Sequence, residues 1–413
     1  MSEPTASGAS LTAVRSLFPA LQRREGGAEV AYFDAPGGTQ VPVAVAEAVR
    51  DYLLHHNANT HWAYPTSVET DAIIAGARAA AADLLGAAHD QVAFGANMST
   101  LTFHAARGLA QDWNEGDEII VTDLDHHANI APWEAVAQDR RLTLHRVPLD
   151  ADLHGLDVDA FVRLLSPRTR LVALGAASNA IGTISDVARL TAMAHQAGAL
   201  VYVDAVHYVP HQLADVAALG CDALACSAYK FYGPHVGLLW MEPALAARLD
   251  IPRLRPAPDE VPERLETGTL NHEGIAGVTA AVDFIAGLGG AAGSRRERLR
   301  TAYARLHREG GALLARMWEG LAAIDGVRLY GRNPGEFRTP TVAFTVGGMA
   351  SDDVAGSLAR RGLFVSSGNF YASTVVERLG LAEQGLVRAG AAAYTSADEV
   401  DRLVDGVREV ARE

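Results

Sequence analysis

The chain has 413 residues, 49% hydrophobic and 20% charged, with a net charge of −14. That length allows a large core and two domains, and the composition fits a folded soluble protein. The negative charge argues against nucleic acid and anionic membranes as partners, and no apolar run reaches the roughly 18 residues of a membrane span.

Met1 to Ser10 is small and polar and lacks the basic and apolar regions of a secretory signal, so a cytoplasmic protein is expected. A short helix is predicted around 11–21 within an irregular segment, 1–30. Residues 30–34 read as a strand, closed by Ala35-Pro36-Gly37-Gly38. Helical patterns cover 41–54 and 70–85. From about residue 90, strands and helices alternate. The predicted strands are 91–94, 118–122, 142–147, 171–174, 199–203, 223–226 and 237–240. Alternation of this kind means βαβ units and a mostly parallel sheet. The last strand follows its predecessor so closely that an antiparallel direction is expected for it.

After Gly268-Thr269 the pattern changes. A helical region at 274–323 is broken at 287–293. Strands at 327–330, 341–345 and 364–365 follow, with helices at 351–361 and 396–412. The division expected is an N-terminal segment, 1–30, packing with the small domain, a large domain, 31–285, and a small α+β domain, 286–413. Only two cysteines occur, Cys221 and Cys226. Their spacing matches no zinc site, and both flank a predicted buried strand, so they read as small core residues.

The chemistry is carried by Lys230, which follows the strand 223–226 in Ser227-Ala228-Tyr229-Lys230 and precedes a Gly233-Pro234 break. Asp204 ends the strand before it, 26 positions upstream. An α/β sheet brings such residues to one carboxyl edge, where these sheets bind ligands. A lysine that forms a Schiff base and an aspartate that pairs with a pyridinium nitrogen are what pyridoxal phosphate requires. Taken alone, each has a plainer reading, as a surface lysine and a helix cap. The segment Gly95-Ala96-Asn97-Met98-Ser99-Thr100 opens a helix after a strand, and helix N-termini bind phosphate. Ser227 is a further phosphate ligand candidate. His126, in Asp125-His126-His127-Ala128-Asn129, offers a flat ring to stack on the pyridine. Adjacent histidines on an extended strand face opposite ways, so no metal is expected there. Asn179 and His207 also follow strands and could bond the ring oxygen. Arg388 reads either as a surface ion pair or as a bidentate anchor for a substrate carboxylate. Neither a dinucleotide fingerprint nor a P-loop is found.

These motifs resemble fold-type-I, class V aminotransferase proteins, and within them the Suf-type cysteine desulfurases, from about Tyr32 to the final helix. Asp125-His126-His127-Ala128-Asn129-Ile130-Ala131-Pro132-Trp133 is similar to the family's ring-stacking histidine segment. Ser178-Asn179-Ala180-Ile181-Gly182-Thr183 is similar to its cofactor-contacting turn. Asp204-Ala205-Val206-His207 stands at its Asp-x-x-Gln position, and Ser227-Ala228-Tyr229-Lys230 at its Ser-x-His-Lys position. The resemblance implies an α/β fold with a mostly parallel seven-stranded sheet in a large domain plus a smaller α+β domain. It also implies a homodimer, in which Gly268-Thr269 reaches the partner's cofactor phosphate, and a carboxylate-holding role for Arg388.

The departures point elsewhere. The family's desulfurases carry a loop cysteine that takes up sulfur. Here that stretch is Ser366-Ser367-Gly368-Asn369-Phe370-Tyr371, with Tyr371 at the nucleophile's position. A phenol cannot hold a persulfide. His61, Trp62 and Tyr371 imply a more aromatic substrate pocket. The expectation is therefore a pyridoxal-phosphate enzyme acting on a small L-amino acid, with C–S lyase chemistry by β-elimination or desulfurase-like cleavage. The alternatives are a class V aminotransferase, an amino-acid epimerase, and a scaffold that has kept only the fold.

Overall fold

The computed structural model describes residues 11–25 and 27–413. Met1 to Ser10, read above for targeting, lies outside the described residues. The larger sheet has seven strands: β1 (Val92–Gly95), β2 (Glu118–Thr122), β3 (Thr143–Val147), β4 (Thr169–Gly175), β5 (Leu200–Asp204), β6 (Ala223–Ser227) and β7 (Gly237–Met241). Their spatial order is β1-β7-β6-β5-β4-β2-β3. The strands β3, β2, β4, β5 and β6 are parallel. As the short connection required, β7 runs antiparallel to both β6 and β1.

Both faces of this sheet are covered, which is why its strands read as apolar runs. Successive side chains enter opposite cores. Val201, Val203, Leu224 and Cys226 face one core, formed with Ile275, Val278 and Val282 of the helix His272–Leu288. Tyr202, Ala223 and Ala225 face the other, formed with Leu101 and Ala105 of the helix Met98–Leu109. The helix predicted at 41–54 is α-helical only over Val43–Asp51 and widens into a π-helical turn at Tyr52–His56.

A second, antiparallel sheet holds β8 (Val327–Tyr330), β9 (Thr341–Val346), β10 (Ser366–Gly368) and β11 (Leu386–Gly390), in the order β8-β9-β11-β10. Neither β10 nor β11 was predicted. Val342, Phe344 and Val387 pack against Leu314 and Leu321 of the helix Arg295–Ala322 and against Leu403 and Val407 of the helix Ala397–Val410. Ala31 and Phe33 enter this core too.

The N-terminal segment, expected to pack with the small domain, touches residues of both parts. Phe18 packs among Tyr232, Phe284 and Tyr394, and Arg15 pairs with Glu399 at 2.7 Å. The physical reason is its apolar side: Val14, Phe18 and Leu21 find their partners in the larger core. No helix among the described residues is long and apolar enough to cross a membrane.

Candidate active site

Strands β5 and β6 lie side by side, with Asp204 opposite Ala225. The chain leaves β6 in a single 3-10 turn, Ala228–Lys230, so Asp204 and Lys230 emerge at the same edge. Both are buried. Lys230 Nζ donates to the Pro36 carbonyl at 2.6 Å. Burial lowers its amine to about 7; Arg388 adds to this, and Asp34 and Asp204 oppose it. Asp204 Oδ1 accepts the Val206 N–H at 2.9 Å. Burial raises its carboxyl to about 6, against the pull of that N–H and of Lys230.

The two residues face a cavity of about 700 Å³. Of the eleven residues predicted to touch the cofactor, nine line it: Asn97, Met98, Ser99, His126, Asn179, Asp204, His207, Ser227 and Lys230. Gly268 and Thr269 do not. They are exposed, and Thr269 lines a separate cavity of about 320 Å³ beside His104.

The helix Met98–Leu109 begins at the cavity because Asn97 Oδ1 caps the Thr100 N–H at 2.9 Å. Ser227 Oγ accepts the Met98 N–H at 3.0 Å, tying this helix to the end of β6. The start of β7 passes so close beneath that a Cβ on Gly237 would lie 2.4 Å from the Asn97 carbonyl carbon. Glycine is required there by space.

His126 Nδ1 accepts the Ala128 N–H at 3.0 Å, which fixes the ring. Burial, with Lys230 and Arg388 adding, lowers the imidazole to about 4, so it is neutral at physiological pH. His207 Nε2 meets Thr339 Oγ1 at 3.0 Å and Thr341 Oγ1 at 3.2 Å. Asn179 Nδ2 donates to the Phe370 carbonyl at 2.9 Å. Tyr229, identified in sequence only as a departure from the family, lines the cavity; its ring stacks on His235 at 5.1 Å and lies 5.1 Å from Lys230 Nζ.

Arg388 does not sit at the surface, and that reading of it is overturned. Its side chain is 4% exposed. The reason is its place on β11, which runs through the middle of the second sheet. Nη1 donates to the Asn179 carbonyl at 2.8 Å, and Nη2 to Ser366 Oγ at 3.0 Å and Asp34 Oδ1 at 3.4 Å. Phe370 covers its face, with the ring centroid 4.1 Å from the guanidinium carbon. Burial lowers the guanidinium to about 10, opposed by Asp34. Arg388 lies behind Asn179 rather than in the cavity wall.

Tyr371 is 73% exposed, and its ring lies 5.6 Å from that of His126. His61 and Trp62 are exposed on the loop before the helix Pro65–Leu85 and do not line the Lys230 cavity. Sequence reasoning missed Asp34, Pro36 and Ser366 as parts of the site. The Asp34–Gly38 turn was visible as a strand closure, but its contacts with Lys230 and Arg388 are remote in the chain. Cys221 and Cys226 are both free and buried. Burial pushes the Cys221 thiol up to about 12 and raises Cys226 as well.

The residues present fit pyridoxal phosphate. A nucleophilic amine and a carboxylate share one wall with a helix N-terminus. Two buried atoms of that wall, Asn179 Oδ1 and His207 Nδ1, have no partner among the described residues. That leaves hydrogen-bonding capacity for a polar group such as the cofactor's ring oxygen.

Comparison with known proteins agrees. The family model described as aminotransferase class-V matches residues 31–403. A cysteine desulfurase of Dickeya dadantii is 33% identical, over 97% of this chain and 96% of its own. An aminotransferase-like protein of Gibberella zeae is 32% identical, over 97% of this chain and 98% of its own. Among solved structures, the apo cysteine desulfurase of Thermococcus onnurineus superposes with a TM-score of 0.86 at 29% identity, covering 97% of both chains. A cysteine desulfurase of Escherichia coli gives 0.83 at 29% identity, covering 98% of both.

Proposed function

We propose that this chain, which belongs to the aminotransferase class-V family, is a pyridoxal-phosphate enzyme that cleaves a C–S bond in a small L-amino acid. The observation that carries the reading is the pair Lys230 and Asp204, buried at one sheet edge in a single cavity.

Bound pyridoxal phosphate supplies an electron-accepting ring that weakens the bonds at the substrate's Cα. The protein does the rest. Lys230 Nζ would hold the cofactor and would take the substrate's Cα proton. An ordinary lysine is protonated near pH 7; one lowered to about 7 is half neutral there, as a general base requires. Asp204, as the anion, would keep the ring nitrogen protonated. Neutral His126 offers a flat face without adding charge. Asn97, Met98 and Ser99 would hold the phosphate at the helix N-terminus, with Ser227 beside them. Arg388, held behind Asn179 by Asp34 and Ser366, would supply positive charge that favours the substrate carboxylate at that side of the cavity.

Tyr371 stands where a persulfide-forming cysteine is needed, and both cysteines of the chain are buried with raised pKa values. Sulfur therefore leaves to solvent. Further parts of the proposal are a homodimer and a cytoplasmic setting. The exposure of Gly268 and Thr269, away from their own chain's cavity, supports a reach to a partner's cofactor phosphate. Two unpaired cysteines fit a reducing compartment. A division near residue 285 is supported by the two separate sheets.

The test is the product formed from L-cysteine by purified, cofactor-loaded protein. Pyruvate with sulfide means β-elimination. Alanine with sulfide means desulfurase-like cleavage in which an external thiol takes up the sulfur and a second thiol reduces it to sulfide. Conversion of the cofactor to its amine form without cleavage would replace the lyase by an aminotransferase. Deuterium exchange at Cα without net product would make it an epimerase.

A further inference from the structure

We propose that Tyr371 forms an aromatic rim at the cavity mouth that selects cysteine S-conjugates, thioethers bearing an aromatic group on sulfur, over free cysteine. This rests on the C–S lyase reading above and names its substrate class.

The backbone around the ring is strained and yet firmly held. Phe370 and Tyr371 both have φ of 55°, in the left-handed region that side chains disfavour. Such a conformation persists where the surroundings over-determine it, and it clusters at ligand clamps and active sites. Here the surroundings adjoin the Lys230 cavity, whose wall includes Asn179 and His126. The Tyr371 carbonyl accepts the His127 N–H at 2.7 Å. The Phe370 carbonyl accepts Asn179 Nδ2 at 2.9 Å, and the Phe370 ring lies on Arg388. The Tyr371 N–H donates to Asn369 Oδ1 at 3.0 Å.

All of this fixes the backbone, and none of it buries the ring. Tyr371 remains 73% exposed. Its ring neighbour is His126, at 5.6 Å and tilted by 34°. His126 lines the cavity, as do Phe103, Tyr229 and His235. Tyr371 therefore continues an aromatic surface from the cavity out to the mouth. A strained, exposed ring contributes nothing to the core, whereas a fixed aromatic surface is what an apolar substituent packs against.

The chemistry favours the same substrates. The chain's two cysteines are buried, so no accessible thiol of its own can accept sulfur. A thioether needs no acceptor. Lys230 removes the Cα proton, and the electron pair left at Cα becomes the Cα=Cβ bond. The Cβ–S pair departs with sulfur as a thiolate, which water protonates. The released 2-aminoacrylate takes up one water to give pyruvate and ammonia. The sequence is redox-neutral and consumes only water.

The test uses cofactor-loaded protein titrated with S-benzyl-L-cysteine, L-cysteine and L-alanine. Changes in the cofactor's visible band give dissociation constants, and a chromogenic thiol reagent reads release. The wild type is expected to bind S-benzyl-L-cysteine about tenfold more tightly than L-cysteine, the scale of one aromatic contact. Tyr371→Ala should bring that preference below about threefold, and Tyr371→Phe should keep it. Equal binding of the two cysteines by the wild type, or an unchanged preference in Tyr371→Ala, would overturn the rim. Preferential binding with no thiol released would leave the rim standing and remove the lyase. No spectral response to any of the three would remove both.

Discussion

Asp204→Asn is expected to stabilise the cofactor-free protein while destroying its function. The Asp204 carboxyl, ordinarily near 3.8, is raised to about 6, chiefly by burial. A raised carboxyl means that the native state binds the proton more tightly than the unfolded chain does. Stability from this group is therefore present at low pH and is lost as pH rises from about 4 through about 6. At about 1.4 kcal/mol per pH unit, ionised Asp204 costs the native state about 3 kcal/mol at pH 8. Asparagine removes that charge and keeps a carbonyl oxygen for the Val206 N–H. The ion pair it loses is small at pH 8, because an amine near 7 is mostly neutral there.

Melting of the cofactor-free wild type and variant, followed from pH 4 to pH 8, checks this. Groups remote from Asp204 titrate alike in both proteins and cancel in the difference, whereas Lys230 and Asp125, both raised by the Asp204 charge, shift down with its loss. At pH 8 the variant should be about 3 kcal/mol more stable, or about 3 °C higher in Tm for a chain of this length. The gap should close towards pH 4. With cofactor, turnover should fall by about a hundredfold or more, since the ring nitrogen has lost its counter-ion. A variant no more stable at pH 8, or a gap independent of pH, would refute the claim that Asp204 is a buried charge kept for the cofactor.

Lys230→Ala should abolish both turnover and the visible band of the bound cofactor while leaving the fold intact; retained turnover would remove the central assignment. Gly237→Ala places a Cβ 2.4 Å from the Asn97 carbonyl carbon, a backbone clash that no rotamer relieves. It should cost about 1–3 kcal/mol and weaken cofactor retention by displacing the helix N-terminus, read by melting and by cofactor release on dialysis. Arg388→Gln keeps a planar amide but loses the cation. It should raise KM for an amino-acid substrate about tenfold or more with a smaller effect on kcat, whereas an unchanged KM would make Arg388 a strut between Asn179 and Ser366.

The parts of the site legible in sequence are those whose position follows from a strand end. Asp204 and Lys230 could be paired because each ends or follows an apolar run, and neighbouring parallel strands deliver both to one edge. The cradle at Asn97 was legible for the same reason, as a cap residue between a strand and a helix. Arg388 was not. An arginine within Leu-Val-Arg-Ala-Gly gives no burial signal, and its partner Asp34 lies 354 positions away. Lys230 likewise reaches Pro36 across 194 positions, so the carbonyl that holds the amine could not be read from either segment.

The loop at Phe370 and Tyr371 shows the limit most clearly. In sequence, Tyr371 registers only as the loss of a nucleophile. Aromatic residues carry no local preference for positive φ, so nothing in the pattern announces the left-handed pair. The conformation is imposed from outside, by His127, Asn179 and Arg388, of which Asn179 lines the cavity and Arg388 lies behind it. Residues at and behind the cavity wall thus spend part of their bonding capacity on placing an exposed ring. If the ring only filled the gap left by a missing thiol, a relaxed backbone would serve as well. The strain is intelligible if the position of that ring bears on what enters the site.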